Sequence, residues 1–106
     1  MATTAQVFAQ GVLTGSQAEY YACPTGTTAI IKAAALINAT GGAVDVTVWL
    51  NPVGGGTDRV LIDTHTVADE ETYLCPELIN QVLEAGGTID ALGNGVTIYV
   101  SGVEVV

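Results

Sequence analysis

The chain has 106 residues, with 2 basic and 11 acidic side chains and a formal net charge of −9. This length predicts a single domain spanning residues 1–106, and the acidic balance argues against binding to nucleic acid or to an anionic membrane. No stretch approaches the ~20 apolar residues of a membrane span, and the first residues lack the pattern of a secretory signal. We therefore expect synthesis in a cytoplasm.

In chain order, the sequence predicts eight β-strands separated by turns rich in Gly, Pro, Asn and Asp. Their predicted spans are residues 6–13, 18–23, 27–37, 43–50, 59–66, 71–74, 87–92 and 96–101. The fourth and the eighth alternate apolar and polar residues, so one face of each should be buried. The third contains AIIKAAALI, which has helical propensity, but its Thr-rich flank and its context favour a strand.

Three segments between or before these strands carry their own expectations. Residues 1–5 are small and polar, which predicts an extended N-terminal arm. The run of three glycines at 54–56 indicates a flexible hairpin tip. Near residues 77–85 we expect one short helical turn, because Pro76 suits a first helical position and Gly86 suits a helix end.

The second half of the chain repeats the first at an offset of 52 residues. EYYACP begins at Glu19 and ETYLCP begins at Glu71, and the 32 ungapped positions that follow from these two residues contain ten identical pairs. Roughly three matches would arise by chance in such a composition. Eight short strands separated by Gly and Pro turns predict an all-β, eight-stranded β-sandwich, either a jelly roll or immunoglobulin-like. The repeat indicates an internal pseudo-two-fold duplication of this sandwich, and the alternative is a coincidence in a composition rich in Ala, Val, Gly and Thr.

The two cysteines, Cys23 and Cys75, occupy equivalent positions in this repeat. They would form a disulfide if both lay at the pseudo-two-fold axis, and otherwise they would be buried free thiols or pair between subunits. Cytoplasmic synthesis favours free thiols.

Reactive side chains are few and scattered. His65 lies two residues after Asp63 on a predicted strand, which places both on one face, but no third metal ligand is near in sequence. No nucleophile motif, phosphate-binding loop or spaced calcium loop is present. The sequence therefore predicts no enzyme activity, no catalytic residue, no metal and no cofactor.

Contacts with other proteins are the better expectation. Charged residues make up 12% of the chain and hydrophobic residues 49%, whereas average domains carry about 25% charge. A surface this poor in charge indicates assembly, since interface cores are depleted in charge. The alternative is a tight sandwich built from small apolar residues. The residues we expect at an interface are Trp49, Tyr20, Tyr99 and Arg59.

The segment TGTTAIIKAAALINATGGAVDVTVWLNPVGGG at residues 25–56 resembles a group of small virion proteins of tailed bacteriophages. Their shared layout is a Thr-rich strand, a second strand like IIKAAALIN, a turn, and a strand like VTVWL that ends in a Pro/Gly tip. LEAGGTID at 83–90 and VTIYVSGVEVV at 96–106 fit the same layout. The resemblance implies a β-sandwich structural component of a capsid or tail, with no catalytic residues.

On this resemblance we expect a capsid decoration or cement protein that stabilises a phage head by binding across capsomers. Its partners would be the major capsid protein and copies of itself, as a trimer or another small oligomer, and its location would be the virion. The alternatives are a tail, neck or baseplate component, and a module that binds carbohydrate or a host surface. Clustered exposed aromatics would favour the last alternative, but aromatic residues make up 6% of the chain.

Overall fold

The computed structural model describes residues 3–106, and most of them lie in β-strands. The strands are β1 Thr3–Val12, β2 Ala18–Ala22, β3 Thr28–Ile37, β4 Val44–Asn51, β5 Arg59–Val67, β6 Thr72–Leu74, β7 Val82–Leu83, β8 Thr88–Leu92 and β9 Thr97–Val105. Eight of them match the predicted strands to within four residues at either end. The two-residue β7 was not predicted.

The strands form two antiparallel sheets that pack against each other as a β-sandwich. Sheet A has the order β1-β9-β3-β6, with β7 also paired to β3, and sheet B has the order β2-β8-β4-β5. From β1 to β4 the chain changes sheet at every step, and it does so again between β5, β6, β8 and β9. This order is that of a jelly roll and not of an immunoglobulin domain.

The strand order contains the pseudo-two-fold relation that the sequence repeat predicts. Exchanging β1 with β5, β2 with β6, β3 with β8 and β4 with β9 converts the order of one sheet into that of the other. In β4 and β9 the 52-residue offset relates buried side chains, namely Val46 with Ile98 and Val48 with Val100. The two halves of the chain therefore share their strand topology and their inward-facing positions.

The repeat slips by one residue in the third strand of each half. Tyr21 pairs with Ile89, whereas its counterpart Tyr73 pairs with Leu36. Ile89 and Leu36 are both fully buried, while Ile37, which the 52-residue offset aligns with Ile89, is 39% exposed. The buried position, and not the identical residue, is what the two halves share.

The core lies between the sheets and consists of one cluster of inward-facing side chains. Its largest fully buried members are Leu13, Ile31, Leu36, Leu78, Leu83, Ile89, Ile98, Val46, Val48, Val67, Val96 and Val100. These residues recur at every second position of β3, β4, β8 and β9, as expected for strands with one face in a core.

The predicted N-terminal arm is wrong for residues 3–5, and residues 1 and 2 lie outside the described residues. Thr3, Thr4 and Ala5 begin β1 and pair with Val105, Glu104 and Val103 of β9. Backbone pairing with a long partner strand fixes this segment although its side chains are small and exposed.

The predicted helical turn at 77–85 shrinks to a 3₁₀ turn at Pro76–Leu78, followed by β7. The backbone N–H of Asn80 donates to Ile31 O at 2.7 Å, and Ile31 N–H donates to Gln81 O at 2.9 Å. Asn80 also adopts a φ of 65°. Pairing with β3 thus satisfies the backbone groups that a longer helix would have used.

The glycine run at 54–56 is held in place and is not a free tip. Gly54 N–H donates to Ala85 O at 3.0 Å. A Cβ added to Gly86 would lie 2.7 Å from the Cα of Gly54, so the two backbones approach as closely as glycine permits. This contact ties the β4–β5 loop to the segment before β8.

Candidate functional site

The expected pairing of Asp63 and His65 on one strand face does not occur. A β-bulge with Thr64 at a φ of 51° lies between them, and His65 pairs with Val46 on the inward side while Asp63 is exposed. The His65 ring stacks on Tyr73 with centroids 3.9 Å apart. Within residues 3–106, no three His, Cys, Asp or Glu side chains group together as metal ligands.

The cysteines are separate, buried free thiols at the ends of β2 and β6. The thiol of Cys23 donates to Thr27 O at 3.3 Å, and burial raises its pKa. Burial, together with the charge of Glu77, raises the pKa of Cys75 to about 12. Because the thiolate is the reactive form, both side chains are suited to packing and not to nucleophilic chemistry.

Two inward tyrosines at equivalent positions each donate a hydrogen bond to a glutamate. Tyr21 Oη donates to Glu104 at 2.6 Å, linking β2 of sheet B to β9 of sheet A. Tyr73 Oη donates to Glu77 at 2.9 Å. Burial and this hydrogen bond raise the pKa of Tyr73 to about 12, and the same two causes raise that of Tyr21 further. The Tyr21–Glu104 bond therefore joins the two sheets, whereas the Tyr73–Glu77 bond is local to the end of β6.

The outer face of sheet A is apolar. Its outward positions include six of the large hydrophobic side chains that are exposed, namely Val7 (44%), Val12 (62%), Ile37 (39%), Leu74 (71%), Val82 (45%) and Tyr99 (38%). Ala5, Ala33 and Ala35 lie among them on the same strands, and the rest of the outward positions are mostly Thr, Ser and Gln. We call this surface the apolar face.

Charge is nearly absent from the apolar face. Strands β1, β6 and β7 contain no charged residue. The carboxylate of Glu104 in β9 is bound to the inward Tyr21. Among the described residues of these strands, Lys32 is the one exposed charge, and its Nζ donates to Asn80 Oδ1 at 3.3 Å.

The outer face of sheet B is acidic. Glu19 of β2 pairs directly with Asp90 of β8, and Asp90 pairs on its other side with Trp49 of β4. The side chain of Gln17 donates to both Asp90 and Asp58, at 3.1 and 3.2 Å. Asp45 accepts a hydrogen bond from Thr66 at 2.6 Å, and Asp63 is exposed on the neighbouring strand. We call this surface the acidic face.

The four residues that we expected at an interface are not brought into one patch. Trp49 lies half-buried on the acidic face, opposite Val60 of β5. Tyr99 lies on the apolar face between Ala35 and Gln10. Tyr20 packs against the core from the edge strand β2, and Arg59 is exposed at the start of β5.

Sequence reasoning missed most of the apolar face, including Val7, Val12, Leu74 and Val82. A usable signal was present, since β1, β6 and β7 are uncharged segments that become neighbours of β3 and β9. It could not be read without the strand order, because these segments are far apart in the chain.

No protein-family model and no curated protein sequence matches the chain. The fold is similar to part of a chain in the structure of infectious bursal disease virus, Gt strain. That similarity has a TM-score of 0.51 and 11% identity, and it covers 97% of this chain and 28% of the viral chain. A chain in the Gx strain structure gives a TM-score of 0.45 and 11% identity, covering 96% and 29% of the two chains.

This chain therefore spans less than a third of the viral chain that it resembles. At 11% identity the likeness establishes a shared fold, here the jelly-roll sandwich. Within residues 3–106, none of the helical segments has the length and apolar character needed to cross a lipid bilayer.

Proposed function

We propose that this chain is a structural protein of a virus particle, and specifically a decoration or cement protein of a tailed-phage head. It would bind the major capsid protein across capsomers and would assemble with copies of itself as a trimer. No step in this role requires catalysis, a metal or a cofactor. The observation that carries the proposal is the apolar face, a broad and nearly uncharged surface on a jelly roll.

The fold supports this role, because jelly rolls are common in viral capsid domains, although lectins and cupins use them as well. The fold similarity to a chain from infectious bursal disease virus also supports a structural role in a virus particle. The resemblance of residues 25–56 to tailed-phage virion proteins is what favours a tailed phage over other viruses.

The role would be mechanical. A sandwich whose sheets are joined by a 2.6 Å cross-sheet hydrogen bond between Tyr21 and Glu104 forms a rigid block. Burying apolar surface against neighbours yields about 25 cal/mol per Å², so contact across a junction between capsid subunits would resist their separation. The acidic face would remain in water and would repel other polyanions.

A tail, neck or baseplate component is the second candidate within the same class, since the same surface would serve there. A carbohydrate or host-surface binding module is less well supported. The observation that favours such a module is Trp49, which is half-buried on the acidic face. It lies opposite the exposed Val60 of β5. Sugar sites commonly need more aromatic surface than this one side chain provides.

The proposal is tested by adding purified protein to phage heads that lack it and measuring the bound fraction by sedimentation. We expect saturable binding at a fixed ratio to the major capsid protein and a rise in the temperature at which the heads release DNA. Isolated tails provide the comparison. Binding to tails and not to heads would overturn the decoration role in favour of the tail component, and binding to neither would overturn both.

A further inference from the structure

We propose that the apolar face is the surface through which copies of this chain bind one another, with the acidic faces turned outward. The inference deepens the proposed function by assigning self-association to one surface, and it has a test of its own. The occupant of the apolar face is a second copy of the chain, as the charge, the area and the state of the sheet edges indicate.

Charge restricts how two copies can meet. Each carries a formal net charge of −9, so association must keep carboxylates apart. Contact through the acidic face would bring Glu19, Asp45 and Asp90 of one copy against a second acidic surface and strip them of water. Among the outward positions of sheet A, the one charged side chain is Lys32, so two apolar faces can approach without burying a carboxylate.

The distance between the two acidic faces removes the remaining repulsion between the copies. Packed sheets are separated by about 10 Å, so in a pair joined through the apolar faces the two acidic faces would stand about 30 Å apart. Screening at physiological ionic strength acts over about 8 Å. Copies that meet through sheet A therefore place the carboxylates of the acidic face beyond the range at which they oppose association.

The area is sufficient for a specific contact. Strands β1, β3 and β9 have nine or ten residues each. At about 3.3 Å per residue and about 4.8 Å between strands, these three strands with the short β6 and β7 present roughly 540 Å² of flat area. Specific interfaces bury about 800 Å² of accessible surface per partner, and a pleated surface exceeds its flat projection. One face can thus supply most of an interface.

The edge strand β1 extends this surface. The opposite edge of sheet A is interrupted by the turn at Pro76–Leu78, and β5 carries a bulge at Thr64. Breaks of this kind prevent edge-to-edge pairing. β1 has a bulge of its own between Val7 and Ala9, but over its ten residues it carries none of the charges or prolines that protect an exposed edge. Val7 and Val12 stand on it and belong to the apolar face.

Matched substitutions test the inference. Val12→Glu lies on the apolar face, whereas Val60→Glu lies on the edge strand of sheet B, and the two valines are 62% and 50% exposed. Both changes lower the net charge by one, so they differ in position and not in overall charge. Because both side chains are exposed, neither variant should unfold, and circular dichroism checks this.

Sedimentation equilibrium up to about 100 µM measures the association constant. We expect the wild type to associate, Val12→Glu to weaken association by at least about tenfold, and Val7→Glu with Val12→Glu to abolish it, while Val60→Glu stays within about twofold. A monomeric wild type, or equal loss in Val12→Glu and Val60→Glu, would overturn the inference. Head binding by monomeric protein would leave the decoration role standing without self-association, so the two failures are distinguishable.

Discussion

The outer faces of sheets A and B are built on the same strand pattern and differ in chemistry. Both sheets direct Val, Ile and Leu inward at every second position, and both leave the alternate positions to face outward. On sheet A those outward positions carry Val, Ala, Thr and Tyr99, and on sheet B they carry Glu19, Asp45, Asp90 and Trp49. Folding requires the inward half of the pattern, so the outward half can be devoted to contacts.

The largest expected effect comes from disturbing the buried packing directly beneath the apolar face. A Cβ at Gly102 would collide with the carbonyl oxygen of Ile30 and would lie 2.8 Å from the Phe8 ring. Gly102→Ala should therefore force β9 away from β3 and lower the free energy of unfolding by about 3 kcal/mol or more. Urea unfolding measures this, with Ser101→Ala, which faces outward on the same strand, as the control. Equal urea midpoints for the two variants would refute the close packing.

The next effect concerns the bond that joins the two sheets. Tyr21→Phe removes the donor to Glu104 and leaves a half-buried carboxylate without its partner, so we expect a loss of about 2 kcal/mol. Tyr73→Phe removes the equivalent bond to Glu77, which is local to the end of β6 and does not join the two sheets, so the loss should be under about 1 kcal/mol. Thermal unfolding compares the two, and a larger loss for Tyr73→Phe would contradict the assignment.

On the acidic face, removing one charge should stabilise the fold. Glu19 and Asp90 are direct cross-strand neighbours, Asp58 is joined to Asp90 through Gln17, and Asp90 Oδ1 is buried without a hydrogen-bond partner. Asp90→Asn should raise the free energy of unfolding by about 0.5 kcal/mol at low salt, and less at high salt. Glu84→Gln makes the same charge change elsewhere. The crowding of charge at Asp90 would be disproved by equal gains in the two variants.

A last effect, seen at high pH, tests the core behind both faces. The pKa of Cys75 is raised from 9.0 to about 12 by burial and by Glu77, so the unfolded chain loses this proton first. The contribution of the buried, protonated Cys75 thiol to the free energy of unfolding is intact below pH 9 and is lost as the pH rises toward 12. Between pH 9 and 11, stability should fall less steeply in Cys75→Ala than in the wild type. Parallel slopes would mean that the thiol is not buried.

The fold could be predicted from sequence wherever alternation and turns agreed. The strands at Val44–Asn51 and Thr97–Val105 follow from period-two patterning, and AIIKAAALI forms a strand despite its helical propensity because both of its sides are paired. In the segment at 77–85 the local Pro signal predicts the short helical turn, but its length could not be predicted, because the pairing of Asn80 and Gln81 with Ile31 ends the turn at Leu78.

Local irregularities limited the prediction of the site. Simple alternation assigns Asp63 and His65 to one face of the strand. A single bulge at Thr64 separates them and places their side chains on opposite faces. Trp49 and Tyr99 were expected to act together, but they belong to different sheets and point in opposite directions. Bulges and sheet assignment depend on long-range pairing, which a short sequence window does not contain.

The most direct measurement of the central claim is the copy number of this chain in purified virus particles, obtained by quantitative mass spectrometry against the major capsid protein. A decoration protein that covers capsomer junctions should be present in numbers comparable to that subunit, and it should be released together with its partner copies. A few copies per particle would place the chain elsewhere in the virion. Its absence from purified particles would contradict the structural role itself.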